Sequence, residues 1–178
     1  VRNLTDICAI ADMDVFAQVV AERADKMVAE AKALAALHPR VIVKVQTNAD
    51  GVQAIGQLKK AGIRTCATAI HSTLEAIAVA RAGADHAAIF IGLLGEVDEN
   101  PTEQLIATIR EIYDQHGLPT QLMAAVRSAS QLVQSLASGA DEITAPYGVW
   151  KLFFQNGHTL TRWNAFASNW RKAYGDRN

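Results

Sequence analysis

Apolar positions along this chain follow two alternating rhythms, short runs rich in β-branched residues and longer stretches with apolar residues three and four apart. These read in turn as strands and helices. A helix is predicted over Arg2 to Ala11 and a strand over Val15-Phe16-Ala17-Gln18-Val19-Val20. Helical spacing resumes from Ala24 to Leu37, where His38-Pro39 ends it. Val41-Ile42-Val43-Lys44-Val45 is β-branched at every position but the fourth, which predicts a strand buried on both faces. Asp50 to Ala61 is a helix with Gly62 at C′, and Arg64 to Ala69 is a short strand. Ser72 caps a helix over Thr73 to Ala82 that Gly83 stops, and His86 to Ile91 is the next strand. Gly92 to Asn100 forms a longer loop, after which Pro101 suits the first turn of a helix running to about Gln115. The unit repeats through strand Leu122 to Val126, helix Ala129 to Ser138, Gly139 and strand Glu142 to Ala145. Helices over Tyr147 to Phe154 and Thr161 to Tyr174 follow.

Strands alternating with helices predict a single α/β domain over 1–178, either a parallel sheet or a (β/α)8 TIM barrel. No GxGxxG follows any strand, which disfavours a doubly wound nucleotide-binding sheet. Polar residues near the strand carboxyl ends, Gln18, Lys44, Thr68 and Thr144, suit a barrel mouth. Six strands are two short of eight, 178 residues fall below the usual barrel size of roughly 200, and the chain begins with Val. The first two strands are therefore expected to be missing from this chain.

Half the residues are hydrophobic and the formal charge is −1, a composition that suits a domain with a substantial core and gives no support for nucleic-acid binding. No apolar run approaches the roughly 18 residues that span a bilayer, so no membrane partner is predicted and a cytoplasmic location is the default. Cys8 and Cys66 are far apart and are expected to be buried thiols rather than a disulfide. The histidines, His38, His71, His86, His116 and His158, form no i, i+4 pair, and no metal or other cofactor is inferred.

Lys44 carries the most chemical information. Burying an ammonium is costly, and the usual escape is a lowered pKa that leaves a neutral amine, a nucleophile toward carbonyls. One reading is a Schiff-base lysine at the carboxyl end of a barrel strand. The other is a lysine whose stem packs inside while its head reaches solvent or a carboxylate.

Several segments, in order, resemble the transaldolases, and among them the small subgroup that includes fructose-6-phosphate aldolase. Phe16-Ala17-Gln18-Val19 is similar to that subgroup's FAQV strand. Val43-Lys44-Val45 with Asn48-Ala49-Asp50-Gly51 resembles its VKVPVTAEG, and Gly62 to Ala69 its GIPTLGTA. Ala124-Ala125 resembles its AAS segment, Glu142 to Pro146 its SITLP, and Phe166 to Trp170 its terminal FEQDW. The resemblance implies a (β/α)8 barrel in which Lys44 forms an imine with a ketose or ketose phosphate, for aldol cleavage or dihydroxyacetone transfer without a cofactor. It implies that Gln18 and Thr68 hold a proton-shuttling water. Phe90 falls where the aldolase subgroup has a tyrosine and longer transaldolases a phenylalanine, which points toward transfer.

The departures concern substrate phosphate and acid/base chemistry. Gly92 and Leu93 stand where the family has an Asn-Arg pair, and Val126, Arg127 and Ser128 replace its serine and basic residue. Arg127 remains the candidate for a phosphate, with Ser128 beside it. The family's acid/base aspartate and the asparagine of its TTNPS segment have no counterpart here; Asp6 lies in the opening helix and does not take that role. These losses leave two alternatives, a weakened barrel acting as a scaffold or sugar-binding protein, and an aldolase for unphosphorylated carbonyls. Trp163, Phe166 and Trp170 make an apolar stripe on the last helix that packs on its own barrel or on a neighbouring subunit. The resemblance favours the second, a homo-oligomer.

Overall fold

The computed structural model describes residues 2–10, 12–91 and 102–175. Six strands form one sheet: β1 Val15–Gln18, β2 Val41–Gln46, β3 Thr65–Ile70, β4 His86–Phe90, β5 Gln121–Ala125 and β6 Glu142–Thr144. They lie in sequence order with every adjacent pair parallel. Among the described residues eight helices accompany them: α1 Arg2–Ile10, α2 Ala24–Ala35, α3 Ala49–Lys60, α4 Thr73–Ala82, α5 Thr102–Gln115, α6 Ala129–Ala137, α7 Tyr147–Leu152 and α8 Gly157–Tyr174. A strand order without reversal has no switch point and gathers its crossover helices on one face, whereas a doubly wound sheet carries them on both. The result is a curled parallel half-barrel. The predicted loop Gly92 to Asn100 and Pro101 lie outside the described residues.

Alternation along the strands sends the side chains to two separate cores. Val41, Val43, Val45, Ala67, Ala87, Ile89, Leu122 and Ala124 face the helices and join Met27, Ile55, Leu58, Val79, Ile106 and Ile109 in the main core. Phe16, Ile42, Cys66, Ala88 and Met123 form a smaller cluster on the concave face. The expectation that β2 is buried on both faces therefore holds for only part of its length. Ile42 is buried, Lys44 half-buried and Gln46 exposed, because the concave face opens toward the carboxyl ends.

Two βα units share a latch. Gly83 and Gly139 end α4 and α6 with φ of 96° and 97°, a left-handed conformation that glycine adopts without penalty. Each is followed by a buried alanine and an aspartate. Asp85 accepts the N–H of Thr65 at 2.8 Å and the Lys59 ammonium at 2.9 Å. Asp141 accepts the N–H of Leu122 at 2.7 Å and the Arg110 guanidinium at 2.9 Å. Each carboxylate thus ties the amino end of the preceding strand to the helix beside it. The predicted Ser72 cap is a full capping box with Glu75.

Strand β3 departs from regularity. Ala67 pairs with Ala87 but Ile70 pairs with Ile89, so β3 carries one extra residue. Ala69, at φ 61°, absorbs it as a bulge, a conformation unfavourable for a side chain with a Cβ. β1 is shorter than predicted: Val20 lies outside it and is exposed, its N–H bound by the Glu30 carboxylate at 2.9 Å. The last helix starts earlier than predicted, and none of its residues is buried. Its stripe of Trp163, Phe166, Trp170 and Tyr174 is exposed among the described residues.

Candidate functional site

Five strands place a second concave-face residue two positions beyond the small core: Gln18 after Phe16, Lys44 after Ile42, Thr68 after Cys66, Phe90 after Ala88 and Ala125 after Met123; on β6 Thr144 follows Glu142 in the same way. Period two therefore turns these side chains to the concave face toward the carboxyl ends, at more than one level of the ladder. Lys44, Phe90, Ala125, Val126, Arg127, Thr144, Ala145 and Pro146 line a pocket of about 280 Å³ there, and Gln18 and Thr68 are not among its described lining. Gln18 is the ladder partner of Lys44, and Thr68 that of Gln46. The carboxyl end of β2 is held against α3 by a close approach: a Cβ on Gly51 would lie 1.8 Å from the Gln46 carbonyl oxygen. Asn48 caps the same helix through the Gly51 N–H at 2.7 Å.

Lys44 forms no ion pair or hydrogen bond among the described residues. Thr68 is 2% exposed, and its Oγ1, like that of Thr47, has no partner among the described protein groups. A buried hydroxyl normally has one; Thr65 Oγ1, at the other end of β3, shares this state. Arg127 is exposed with no ion-pair partner among the described residues, and its N–H is bound by Gln131 at 2.9 Å. Ser128 is not brought to the pocket. Its hydroxyl caps α6, accepting the Gln131 N–H at 3.2 Å.

Below the pocket the concave face carries groups that sequence reasoning passed over. His86 Nδ1 lies 2.9 Å from Glu142 Oε2, and Phe16 meets the imidazole edge-on with centroids 5.3 Å apart. Burial pushes the Cys66 thiol up to about 12, against a downward pull from Lys44 and alongside an upward push from Glu142. His86 and Glu142 each follow a Gly-Ala-Asp triplet, a repeat visible in the sequence that marks their equivalent places in two units. No group of three or more His, Cys, Asp or Glu suited to a metal occurs among the described residues. No described helix is long and apolar enough to cross a membrane.

Comparison with known proteins agrees with this architecture. Residues 1–175 match the family described as Transaldolase/Fructose-6-phosphate aldolase. A probable transaldolase of Chlorobium limicola is 40% identical over 151 residues, covering 84% of this chain and 68% of that protein. One from Bacteroides fragilis is 36% identical over 172 residues, covering 96% and 78%. One from Desulfitobacterium hafniense is 34% identical over 170 residues, covering 95% and 79%. A lysine on a parallel strand at the mouth of a curled half-barrel and this extent of similarity lead to one conclusion: the chain belongs to the transaldolase/fructose-6-phosphate aldolase family of enzymes.

Proposed function

We propose that Lys44 is the Schiff-base residue of a class I aldolase or transaldolase acting on a ketose or ketose phosphate, with the half-barrel as six units of a (β/α)8 barrel. The unprotonated amine of Lys44 attacks the C2 carbonyl, and the carbinolamine loses water to an iminium. That cation accepts electrons as the C3–C4 bond breaks or forms. Gln18 and Thr68 hold the water that moves protons to and from the carbinolamine, Phe90 packs against the substrate carbons, and Arg127 meets a phosphate where one is present. Ser128 serves this site only by fixing the start of α6. The observation that carries the reading is the half-buried Lys44, without an ion pair among the described residues, in a pocket with Phe90 and Arg127.

The test is borohydride trapping with dihydroxyacetone or fructose 6-phosphate, followed by peptide mapping. A reduced adduct on Lys44, lost in Lys44→Met, supports the proposal. No adduct overturns it and leaves a scaffold or sugar-binding protein. Phosphorylated substrates should lose their advantage over unphosphorylated ones in Arg127→Ala.

The chain is further proposed to assemble with copies of itself through α8, whose Trp163, Phe166 and Trp170 lie exposed along one face. Light scattering should report an oligomer that Phe166→Glu dissociates.

A further inference from the structure

We infer that His71 is the acid/base residue of this site, a role that rests on the Lys44 imine proposed above. Cleavage requires a group that accepts the C4 hydroxyl proton and returns it, and apart from Lys44 itself the described pocket lining supplies none. Phe90, Ala125, Val126, Thr144, Ala145 and Pro146 do not titrate near neutral pH, and a guanidinium such as Arg127 stays protonated. An imidazole is the side chain that ordinarily both takes and gives a proton in that range.

The β3 bulge is what aims it. Had β3 kept strict alternation beyond Thr68, residue 70 would face the mouth and residue 71 the helices. The extra residue at Ala69 reverses this: Ile70 is wholly buried in the helix-side core and level with Ile89. His71 then falls level with Phe90 on the concave side. Its ring meets that of Phe90 edge-on, centroids 5.8 Å apart and planes at 62°, and Phe90 lines the pocket with Lys44. The Glu75 carboxylate fixes the backbone by accepting the N–H of His71 at 2.9 Å and of Ser72 at 3.0 Å. The imidazole forms no hydrogen bond among the described residues, so its nitrogens are open to a substrate. Among the described residues, charged groups at this end include Glu75 on α4, Lys44 on β2, Asp50 at the start of α3, Glu30 beside the end of β1 and Arg127 beyond β5, while Phe90 presents none from β4.

In cleavage, the imidazole takes the proton of the C4 hydroxyl, and the O–H bonding pair becomes the second bond of the departing aldehyde. The C3–C4 pair forms the C2=C3 bond of an enamine, and the iminium π pair comes to rest on nitrogen. The imidazolium then gives its proton to C3, leaving a dihydroxyacetone iminium that water hydrolyses. When an acceptor aldehyde arrives instead, C3 attacks its carbonyl carbon and the imidazolium protonates the new alkoxide.

The test pairs the Lys44 adduct with exchange of solvent deuterium into dihydroxyacetone, followed by NMR, in the wild type, His71→Phe and His71→Gln. Both variants should form the adduct to the wild-type extent while exchange falls roughly 10²-fold. They should lose the imidazole's limb of the pH–rate profile, and free imidazole should restore exchange to His71→Ala. Wild-type exchange with an unchanged pH profile overturns the inference. So does loss of adduct and exchange together in both variants, which marks a structural role. A wild-type protein without the Lys44 adduct is a different failure, that of the imine itself.

Discussion

Thr68→Val removes one hydroxyl and places a methyl in the same outline. A change of this kind at a buried site usually orphans a hydrogen-bond partner and costs about 1–3 kcal/mol. At Thr68 no described protein group bonds Oγ1, so no protein donor or acceptor is stranded. Losing a hydrogen bond to solvent costs roughly 0.5–1.5 kcal/mol, and the added buried methyl returns up to about 0.8 kcal/mol. Unfolding free energy should therefore stay within about 1 kcal/mol of wild type. If the hydroxyl holds the water of the imine steps, kcat/KM should fall about 10- to 100-fold, or ~1.4–2.7 kcal/mol of transition-state stabilisation. Urea unfolding followed by circular dichroism measures the first quantity and aldol turnover the second. Unaltered turnover, or a loss of stability above about 2 kcal/mol, would refute the assignment of Thr68 as a chemical rather than a structural hydroxyl.

Asp141→Ala leaves the N–H of wholly buried Leu122 without its acceptor and should cost about 1–3 kcal/mol in urea unfolding. Little is added from Arg110, which is partly exposed and keeps Asp114 at 2.8 Å; Asp141→Asn, which retains an oxygen, should cost about 1 kcal/mol or less. Gly51→Ala forces a Cβ onto backbone that cannot rotate away and should destabilise by at least about 3 kcal/mol, read as a lowered Tm together with loss of the Lys44 adduct. Cys66 should resist iodoacetamide at pH 8 in the folded protein and react once unfolded, as mass spectrometry can follow, because burial keeps it protonated. Its folded pKa of about 12 lies above the ordinary 9.0, so the unfolded chain loses the proton first. Its contribution to stability should hold below about pH 9 and decline as pH rises toward 12.

The alternation of strands and helices was legible because each rhythm is a local property: the helix Thr73 to Ala82 and its Ser72 cap emerge as predicted. Lys44 stood out because an ionisable group interrupts a β-branched run, and the polar positions Gln18, Thr68 and Thr144 fell on one face by period two alone. The bulge was not legible, since alanine has no preference for the left-handed conformation of Ala69 and the extra residue appears only against the ladder of β4. That hid His71, which simple alternation points toward the helices. Ser128 shows the converse: a serine beside a candidate arginine also satisfies the capping pattern of the next helix, and the hydrogen bond to Gln131 decides between them. The Asp85 and Asp141 latches escaped because their acceptor role depends on strands distant in sequence.

Parity also has a consequence for altering this enzyme's repertoire. On β2, odd-numbered side chains join the main core, while Lys44 and Gln46 stand beyond buried Ile42 on the concave face, so a library randomised at Gln46, Phe90 and Thr144 would explore new substrates while sparing the main core. Carried along β3 without its bulge, the same rule would select Ile70, one of the largest fully buried side chains. Such a library would spend its diversity on unfolded proteins. The frame has to be shifted by one residue after Ala69, which puts His71 on the open face, where a replacement would spare the fold but remove the inferred acid/base group.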